Sequence, residues 1–394
     1  MNQNGILPKR AVVDYDRHNA EVEAVWAAYR KREPIRVPLI FGINARLTMF
    51  DHPANPRGIE FAEYSSDPEI MIERQVEHQA WVRENIPQDA PMGRPKDGWR
   101  VNVDLQNVYE AGWYGAEIIY RPGQVPDSAP LLADDDRKWQ LIERGAPDPF
   151  TSGTAAKMWD FYEHMLHRME EGREYDGLPI VHVDPPAGGS DGPLTICCNL
   201  RGAGAFFTDL LDDPDYAHAM LDFVTETTIT RIKAYRERTG QDSKPKQGGL
   251  ADDSVQLIST PMFRELILPY HRRFFNALYG EGPHSMHLCG DATRHFRTIR
   301  DELNVWSFDT GFPVDFTWLR KELGPDVEIL GGPSVPFLET ATPNQVTERV
   351  KEILGSGITE GGRFMLREGN NLPPGVSLDN INAMWYAVHE YSRY

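Results

Sequence analysis

The stretch HSMHLCGD, residues 284–291, places two histidines and a cysteine close together in the chain. Side chains alternate between the two faces of a strand, so His287 and Cys289 share one face while His284 points to the other. Their donor atoms would lie ~7 Å apart along the strand and can converge on one metal ion. Imidazole and thiolate together favour zinc over magnesium or calcium, which prefer oxygen ligands. The alternative interpretation is a buried cysteine that packs as a small hydrophobic residue beside a hydrogen-bonded histidine.

A histidine and a cysteine alone do not complete a zinc site, which usually has at least three protein ligands. Cys197 and Cys198 are the other two thiols of the chain, and they would lie on a different strand. The candidate carboxylates are Asp253, Asp309 and Glu368. The spacing of residues does not decide among them.

Polar side chains follow most of the apolar runs of the chain, where predicted strands end. They are Asp104, Asp184, Asn199, Asp252, Asp253, His287, Cys289, Asp309, Glu368, Asn370 and Asn371. Turns select Asp and Asn for local hydrogen bonding, so each of these residues alone has an ordinary explanation. Together they would ring one mouth of a barrel of parallel strands, where carboxylates, an imidazole and a thiol are typical of an active-site wall.

The elements that must position these residues are short β-rich runs separated by helical patterns. The eight predicted strands are residues 99–104, 179–184, 193–198, 248–253, 285–290, 305–310, 327–332 and 363–368. Helical segments lie between the later runs, and a terminal helix, LDNINAMWYAVHEY, closes the series. Eight apolar strands alternating with helices predict a (β/α)8 TIM barrel. A doubly wound sheet is the structural alternative, but no G-x-G-x-x-G follows any early strand.

The first 95 residues show a different pattern. Residues 20–32 and 67–85 are predicted helices, and the second begins with Asp67 as its cap and Pro68 at its first position. The apolar run IRVPLIFG lies between them, at residues 35–42. We therefore expect residues 1–95 to form an N-terminal helical extension packed on a barrel of residues 96–394, in one structural domain overall.

The composition excludes several classes of partner. The chain has 394 residues and a formal net charge of −18 at pH 7. Nucleic-acid affinity comes largely from Lys and Arg that neutralise phosphates, so this charge disfavours nucleic acid. The N-terminus lacks the apolar stretch of a signal peptide, and no run approaches the ~20 apolar residues of a membrane span. Three cysteines, two of them adjacent, fit a reducing compartment, so we expect a cytoplasmic protein without a membrane partner.

Motifs along residues 99–394 resemble those of the uroporphyrinogen decarboxylase superfamily, which includes the corrinoid-dependent methyltransferases. The segments that carry the resemblance are DGPLTICCNLRG (191–202), LADDSVQLISTPMFRELILPYHRR (250–273), MHLCGD (286–291), SFDTG (307–311), ILGGPSV (329–335) and GGRFMLREGNNLPPGVSLDNINAM (361–384). The second resembles the family's D-x-x-x-x-L-S-P-x-x-F-x-E-F-x-x-P-Y closely. Each motif is modest alone, but the ordered set is specific. The resemblance implies a (β/α)8 barrel, in agreement with the strand pattern.

Two branches of the superfamily can be compared with this chain. The arginine-rich R-Q-A-G-R-Y segment of true decarboxylases has no counterpart, their tyrosine falls on Asn199, and their late histidine falls on Asn370. Only Asp104 keeps the place of a decarboxylase residue. MHLCGD instead resembles the H-x-C-G-[ND] of the methyltransferase branch, which implies that His287 and Cys289 bind zinc. Uroporphyrinogen decarboxylation itself is therefore disfavoured.

The methyltransferase branch differs from this chain at the third zinc ligand. Its late cysteine falls on Asn370, and a neutral amide is a poor zinc ligand. We therefore expect a carboxylate or the substrate to complete the site. Glu368 is our predicted third ligand, and Asp253 is the alternative for that place.

The resemblance predicts a zinc-dependent methyltransferase that moves a methyl group between a small methoxy or methylamine compound and a corrinoid protein or a thiol. The corrinoid would come from a partner protein, because the carrier signature D-x-H-x-x-G is not found, and a homodimer is expected. The predicted catalytic residues are Asp104, Asp253 and Asn199, and the predicted substrate-binding residues are Asp184, Asp309, Asn370 and Trp113. Trp113 would belong to an aromatic pocket wall, with core packing as its other interpretation.

Two alternatives use the same barrel differently. A decarboxylase or lyase could act on another acid through Asp104 or Asp253 without a metal. A non-catalytic protein could keep the barrel and a small-molecule pocket. The sequence leaves open the methyl donor, the acceptor and the direction of transfer.

Overall fold

The computed structural model describes residues 12, 14–50, 52–186 and 189–393. The N-terminal stretch MNQNGILPKR, where the sequence shows no apolar signal segment, lies outside these residues. Within them, every helix is too short or too polar to span a lipid bilayer.

Seven parallel strands form the framework of the fold. They are β1 (Trp99–Asn102), β2 (Leu178–Asp184), β3 (Gly249–Ala251), β4 (His284–Leu288), β5 (Val305–Thr310), β6 (Glu328–Gly331) and β7 (Phe364–Leu366). Strands β3 to β7 pair in chain order, and β1 pairs with β2. All seven fall on predicted strands. Shorter strands lie at Ile118–Ile119, Asp127–Ser128 and Glu174–Tyr175.

Helices lie between and around these strands. The longer ones are α1 (Tyr15–Arg30), α2 (Pro68–Asn85), α3 (Thr154–Glu170), α4 (Pro193–Arg201), α5 (Ala203–Asp212), α6 (Pro214–Arg238), α7 (Leu268–Leu278), α8 (Phe296–Leu303), α9 (Phe316–Leu323), α10 (Val335–Thr340), α11 (Pro343–Leu354) and α12 (Leu378–Tyr391). Asp67 caps α2 by accepting a hydrogen bond from the backbone N of Glu69, and Pro68 opens the helix, as predicted. Parallel strands alternating with helices confirm the predicted α/β class.

Alternation along the strands separates the hydrophobic core from the site. In β4, Met286 and Leu288 are buried, while Ser285 is exposed and His287 partly so. In β5, the ring of Phe308 packs 5.0 Å from that of Phe296 on α8. In β4 and β5, one face therefore packs into the hydrophobic core, and the other presents polar side chains such as His287 and Asp309.

The apolar run at residues 35–42 lies directly beside the last strand. Leu39 is the parallel neighbour of Leu366. The backbone N of Ile40 donates to the Leu366 carbonyl at 3.0 Å, and the backbone N of Leu366 donates to the Pro38 carbonyl at 2.9 Å. Part of the predicted N-terminal extension thus continues the parallel strand order beyond β7. The division of the chain at residue 95 stays a prediction.

The strand predicted at 193–198 is wrong, because these residues belong to helix α4. Pro193 stands at its first position, and the carboxylate of Asp252 accepts hydrogen bonds from the backbone N of Leu194 at 3.3 Å and of Thr195 at 2.9 Å. These bonds satisfy helix N-terminal amides from outside the segment. A short apolar run cannot be assigned to strand or helix by periodicity alone. Asn199 therefore lies within a helix and does not follow a strand.

Candidate metal centre

Three side chains converge at the carboxyl ends of β3 and β4. Asp253, His287 and Cys289 each offer one ligand atom, and these atoms all lie within 4.8 Å of one another. Nε2 of His287 lies 3.1 Å from Sγ of Cys289 and 3.8 Å from Oδ1 of Asp253. The backbone N of Cys289 donates to that same oxygen of Asp253 at 2.8 Å. The predicted pair His287 and Cys289 therefore meets a carboxylate from the neighbouring strand.

Strand register explains why these residues meet. Ala251 in β3 is the register partner of His287 in β4. Parallel neighbours in register lie ≈ 4.8 Å apart, so Asp253, two residues beyond Ala251, lies beside the end of β4. Its side chain is 41 % exposed and that of His287 is 27 % exposed, so both are accessible to an ion or a small molecule.

Asp309 orients the imidazole of His287 from the opposite side. Nδ1 of His287 lies 2.8 Å from Oδ2 of Asp309, the register partner of His287 in β5. Burial lowers the pKa of His287, but the hydrogen bonds with Asp309 and Cys289 outweigh burial and raise it to about 10. Burial raises the pKa of the Cys289 thiol, while His287 acts to lower it. Because Asp309 occupies Nδ1, Nε2 is the nitrogen that faces Cys289 and Asp253.

The donor set of this group fits zinc. One imidazole nitrogen, one thiol sulfur and one carboxylate oxygen are all zinc ligands, and three protein ligands leave a fourth position for substrate. A carboxylate on the second nitrogen of a zinc-binding histidine is a recurrent arrangement that orients the ring. Asp253, His287 and Cys289, which we call the metal group, could therefore hold the metal, with Asp309 supporting His287.

Glu368 lies outside this group, contrary to its predicted place as the third ligand. Its carboxylate is fully buried and accepts a hydrogen bond from the backbone N of Gly42 at 2.8 Å, with Nη2 of Arg367 3.2 Å from the same oxygen. Burial raises the pKa of Glu368 to about 7. The hydrogen bond with the backbone of residue 42 holds this side chain away from His287 and Cys289, and Asp253 is the carboxylate that lies near them.

Asp104, predicted as catalytic, is engaged in a local hydrogen-bond network. It accepts from the hydroxyl of Tyr64 at 3.0 Å and from the side-chain amide of Gln106 at 2.7 Å. Asn199, the other predicted catalytic residue outside the metal group, is partly buried on α4. Neither belongs to the cluster around His287.

The predicted substrate-binding residues divide into two sets. Asp309 contacts His287, and the backbone carbonyl of Asn370 accepts from Arg367, which also contacts Asp309. Asp184 instead pairs with Arg100 at 3.1 Å, with half of its side chain exposed. Trp113 is 2 % exposed and its indole N donates to the carbonyl of Asp148 at 3.0 Å. The structure therefore places Trp113 in the hydrophobic core and not in a pocket wall.

A cavity of about 540 Å³ adjoins the metal group on the inside of the strand layer. It is lined by Gly189, Ser190, Gly249, Leu250, Ala251, Tyr279, Ser285, Met286, His287, Ser307, Asp309 and Leu330. Hydroxyl groups, the imidazole of His287 and one carboxylate are its polar side-chain features, and none of the described lining residues is Lys or Arg. A larger cavity of about 880 Å³ lies at the start of the strands, around His284 and Arg363, away from the three ligand residues.

Asp191 is a residue near the site that the sequence did not single out. Asp191 is the parallel neighbour of Ala251 in β3. Ala251 is also the register partner of His287 in β4, so Asp191 and His287 lie on either side of β3. Burial, reinforced by the negative charges of Glu110 and Asp253, raises the pKa of Asp191 well above its usual value. In the sequence, the feature that could have pointed to Asp191 was its place before Gly-Pro in the motif DGPLTI. The strand predicted directly after it did not help, because those residues form a helix.

Comparison with known proteins shows which family and which characterised proteins this chain resembles in sequence. The model of the family described as uroporphyrinogen decarboxylase (URO-D) matches residues 183–391. The methylated-thiol–coenzyme M methyltransferase of Methanosarcina mazei is 29 % identical over 224 residues, which are 55 % of this chain and 55 % of that protein. The methylcobamide:CoM methyltransferase MtaA of Methanosarcina barkeri is 26 % identical over 212 residues, 52 % of this chain and 58 % of that protein. The chain thus spans somewhat more than half the length of the curated relatives it matches.

A solved structure, a methyltransferase from Methanosarcina mazei, shares the fold with a TM-score of 0.61 and 19 % identity, covering 94 % of this chain and 98 % of that chain. The URO-D match includes β3 to β7 and every residue of the metal group. Since the URO-D model matches more than half of the sequence, this chain belongs to the uroporphyrinogen decarboxylase (URO-D) family.

Proposed function

We propose that this protein is a zinc-dependent methyltransferase that moves a methyl group between a small methylated compound, methoxy or methylamine, and a corrinoid protein or a thiol. The observation that carries the proposal is the convergence of Asp253, His287 and Cys289 within 4.8 Å. The two curated relatives, named as methyltransferases that act with coenzyme M, support the reaction class.

The residues of the group have separate tasks in this proposal. Zinc held there would act as a Lewis acid toward a heteroatom of the substrate. His287 presents Nε2 because Asp309 holds its Nδ1 at 2.8 Å. Cys289 and His287 release protons when a metal binds. Asp253 supplies an oxygen in place of a second thiolate, which leaves a harder site that suits an oxygen-bearing donor such as a methoxy compound.

The cavity beside His287 supports a donor that is not an acid. Carboxylate substrates are usually held by Arg or Lys, often in bidentate pairs. The described lining residues of this cavity include Asp309, His287 and three serines but no Lys or Arg. A decarboxylase acting on another acid, the second candidate, would use Lys or Arg to hold the carboxylate, and this cavity offers neither among its described residues.

The partners follow from the same proposal. The corrinoid would be supplied by a carrier protein that docks where the metal group is accessible, beyond the ends of β3 and β4. We also propose a homodimer and a cytoplasmic location.

Metal analysis combined with a methyl-transfer assay tests the proposal. The purified protein should contain stoichiometric zinc, and the double variant His287→Ala/Cys289→Ala should lose it. Methyl transfer to a reduced corrinoid protein would be assayed across methoxylated and methylated donors. Zinc together with transfer from one donor class supports the proposal. A metal-free but active protein would overturn the role of zinc, and a metal-free, inert protein would favour a binding barrel.

A further inference from the structure

Arg367 follows β7 directly. Its side chain connects Asp309, beside His287, to Glu368, which is bonded to the end of the segment at residues 35–42. Its Nη1 lies 2.8 Å from Oδ2 of Asp309, and that same oxygen lies 2.8 Å from Nδ1 of His287. The side chain of Arg367 is 11 % exposed, and that of Asp309 is 22 % exposed. Charge-assisted hydrogen bonds are strong in such partly dehydrated surroundings. One oxygen of Asp309 therefore joins the guanidinium to the imidazole.

The guanidinium is itself anchored on its other side. Nη2 of Arg367 lies 3.2 Å from Oε1 of Glu368 and also donates to the backbone carbonyl of Asn370. The same oxygen of Glu368 accepts from the backbone N of Gly42 at 2.8 Å. A Cβ atom at residue 42 would lie 2.2 Å from Nη2 of Arg367, so glycine permits this close approach. Backbone from two chain segments thus fixes where Arg367 points.

We propose that Arg367 is a positioning residue that sets the metal-binding orientation of His287 through Asp309. The inference rests on the proposed zinc site. Arg367 holds the carboxylate of Asp309 in place, so that Asp309 accepts the hydrogen bond from Nδ1 of His287. Nε2 then remains the nitrogen directed at Cys289 and Asp253. Without Arg367, Asp309 loses its fixed partner and the imidazole ring is no longer held in the orientation that suits the metal.

Sequence reasoning gave Arg367 no role, because Arg after an apolar strand resembles any surface residue. A simple stabilising ion pair is the competing explanation, since buried pairs of this kind also contribute to folding. The two explanations differ in what they predict for His287. Only a positioning role changes zinc affinity and the Nδ1 hydrogen bond of His287 in a protein that is still folded.

The test compares Arg367→Met and Arg367→Lys with wild type. The zinc dissociation constant would be measured by chelator competition, and the exchange-protected Nδ1 proton of His287 by NMR. We expect Arg367→Met to weaken zinc binding ~10- to 100-fold, as changes to groups behind a metal ligand usually do. In this variant, the Nδ1 proton of His287 should lose its protection from exchange with water. Arg367→Lys keeps one charged donor near Asp309. Its zinc dissociation constant and its protection of the His287 Nδ1 proton should therefore lie between those of wild type and Arg367→Met.

Arg363→Met is the matched control, because Arg363 lies at the other end of the same strand and pairs with Glu328 at 2.8 Å. It should leave zinc affinity and the Nδ1 proton unchanged. If Arg367→Met does not fold, Arg367→Lys carries the test, because a single ammonium cannot reproduce both the Nη1 and the Nη2 contacts of the guanidinium. A folded variant with wild-type zinc affinity and a protected Nδ1 proton overturns the proposal.

The two proposals can fail separately. If wild-type protein binds no zinc, the proposed function fails, but the Nδ1 proton of His287 is still measurable in the metal-free protein. Loss of its protection in Arg367→Met would then uphold the positioning role, and unchanged protection would overturn it.

Discussion

Nε2 of His287 in β4 lies 3.8 Å from Oδ1 of Asp253, two residues beyond the neighbouring strand β3. This separation is too long for a hydrogen bond. Two ligands of a tetrahedral zinc ion, each about 2 Å from the metal, lie about 3.3 Å apart. The two atoms are thus not bonded to each other and are near the spacing that shared ligation of one ion requires. Four predictions follow from this arrangement and from the residues around it.

Replacing Asp253, the proposed third ligand, should weaken metal binding more than replacing Glu368. Asp253→Ala removes a donor of the metal group, so we expect the zinc dissociation constant to rise more than about 100-fold, beyond the usual range for supporting residues. Glu368→Gln should raise it by about 10-fold at most, because Glu368 lies behind Arg367. Chelator competition measures both. Equal losses in the two variants, or a larger loss in Glu368→Gln, would contradict the assignment of Asp253.

Adjacent aspartates after β3 should have different effects on stability. Asp252 is fully buried and accepts from Nε2 of His271 at 2.7 Å and from the hydroxyl and backbone N of Thr195. Asp252→Ala leaves buried donors without a partner, so it should lower the free energy of unfolding by about 3–5 kcal/mol. In metal-free protein, where zinc affinity does not contribute to stability, Asp253→Ala is the matched control and should change it by less than about 1 kcal/mol. Urea denaturation decides, and similar losses in both variants would contradict the distinction.

Glu368 should make stability depend on pH. Burial raises its pKa from 4.5 to about 7, so between these values the folded protein holds a proton that the unfolded chain has released. Unfolding therefore becomes easier as pH rises through this window, by at most about 1.4 kcal/mol per pH unit. Glu368→Gln does not titrate. Its free energy of unfolding minus that of wild type should increase from about pH 4.5 to 7 and then level off. Parallel pH profiles would show that the carboxyl is not perturbed.

Adding one methyl group at residue 42 should disturb the site from behind. In Gly42→Ala the new Cβ would lie 2.2 Å from Nη2 of Arg367 and 2.6 Å from the carbonyl of Asn370. We expect a loss of stability of about 1–3 kcal/mol, together with weaker zinc binding. Gly204→Ala is the control, because nothing lies within 4 Å of its Cβ position on α5. It should be neutral or slightly stabilising. Thermal denaturation and zinc titration of both variants provide the comparison.

The strand pattern was predictable because burial on one face is written into local sequence. All seven strands β1 to β7 fall on predicted runs. The error at 193–198 has a tertiary cause, since the carboxylate of Asp252 supplies the hydrogen bonds that start α4 there. The apolar run at 35–42 is visible in the sequence, but its place beside Leu366 depends on pairing with a strand more than 300 residues later. Pairing at such distance has no local signal.

The sequence by itself determined that His287 and Cys289 share one face, because alternation along a strand is a property of the backbone. Only the tertiary structure decided which carboxylate joins them. Register between β3 and β4 brings Asp253 to the pair, while the backbone of Gly42 holds Glu368 beneath Arg367. Both contacts are made between segments far apart in the chain, and they are fixed by packing and strand pairing, which residue spacing does not encode.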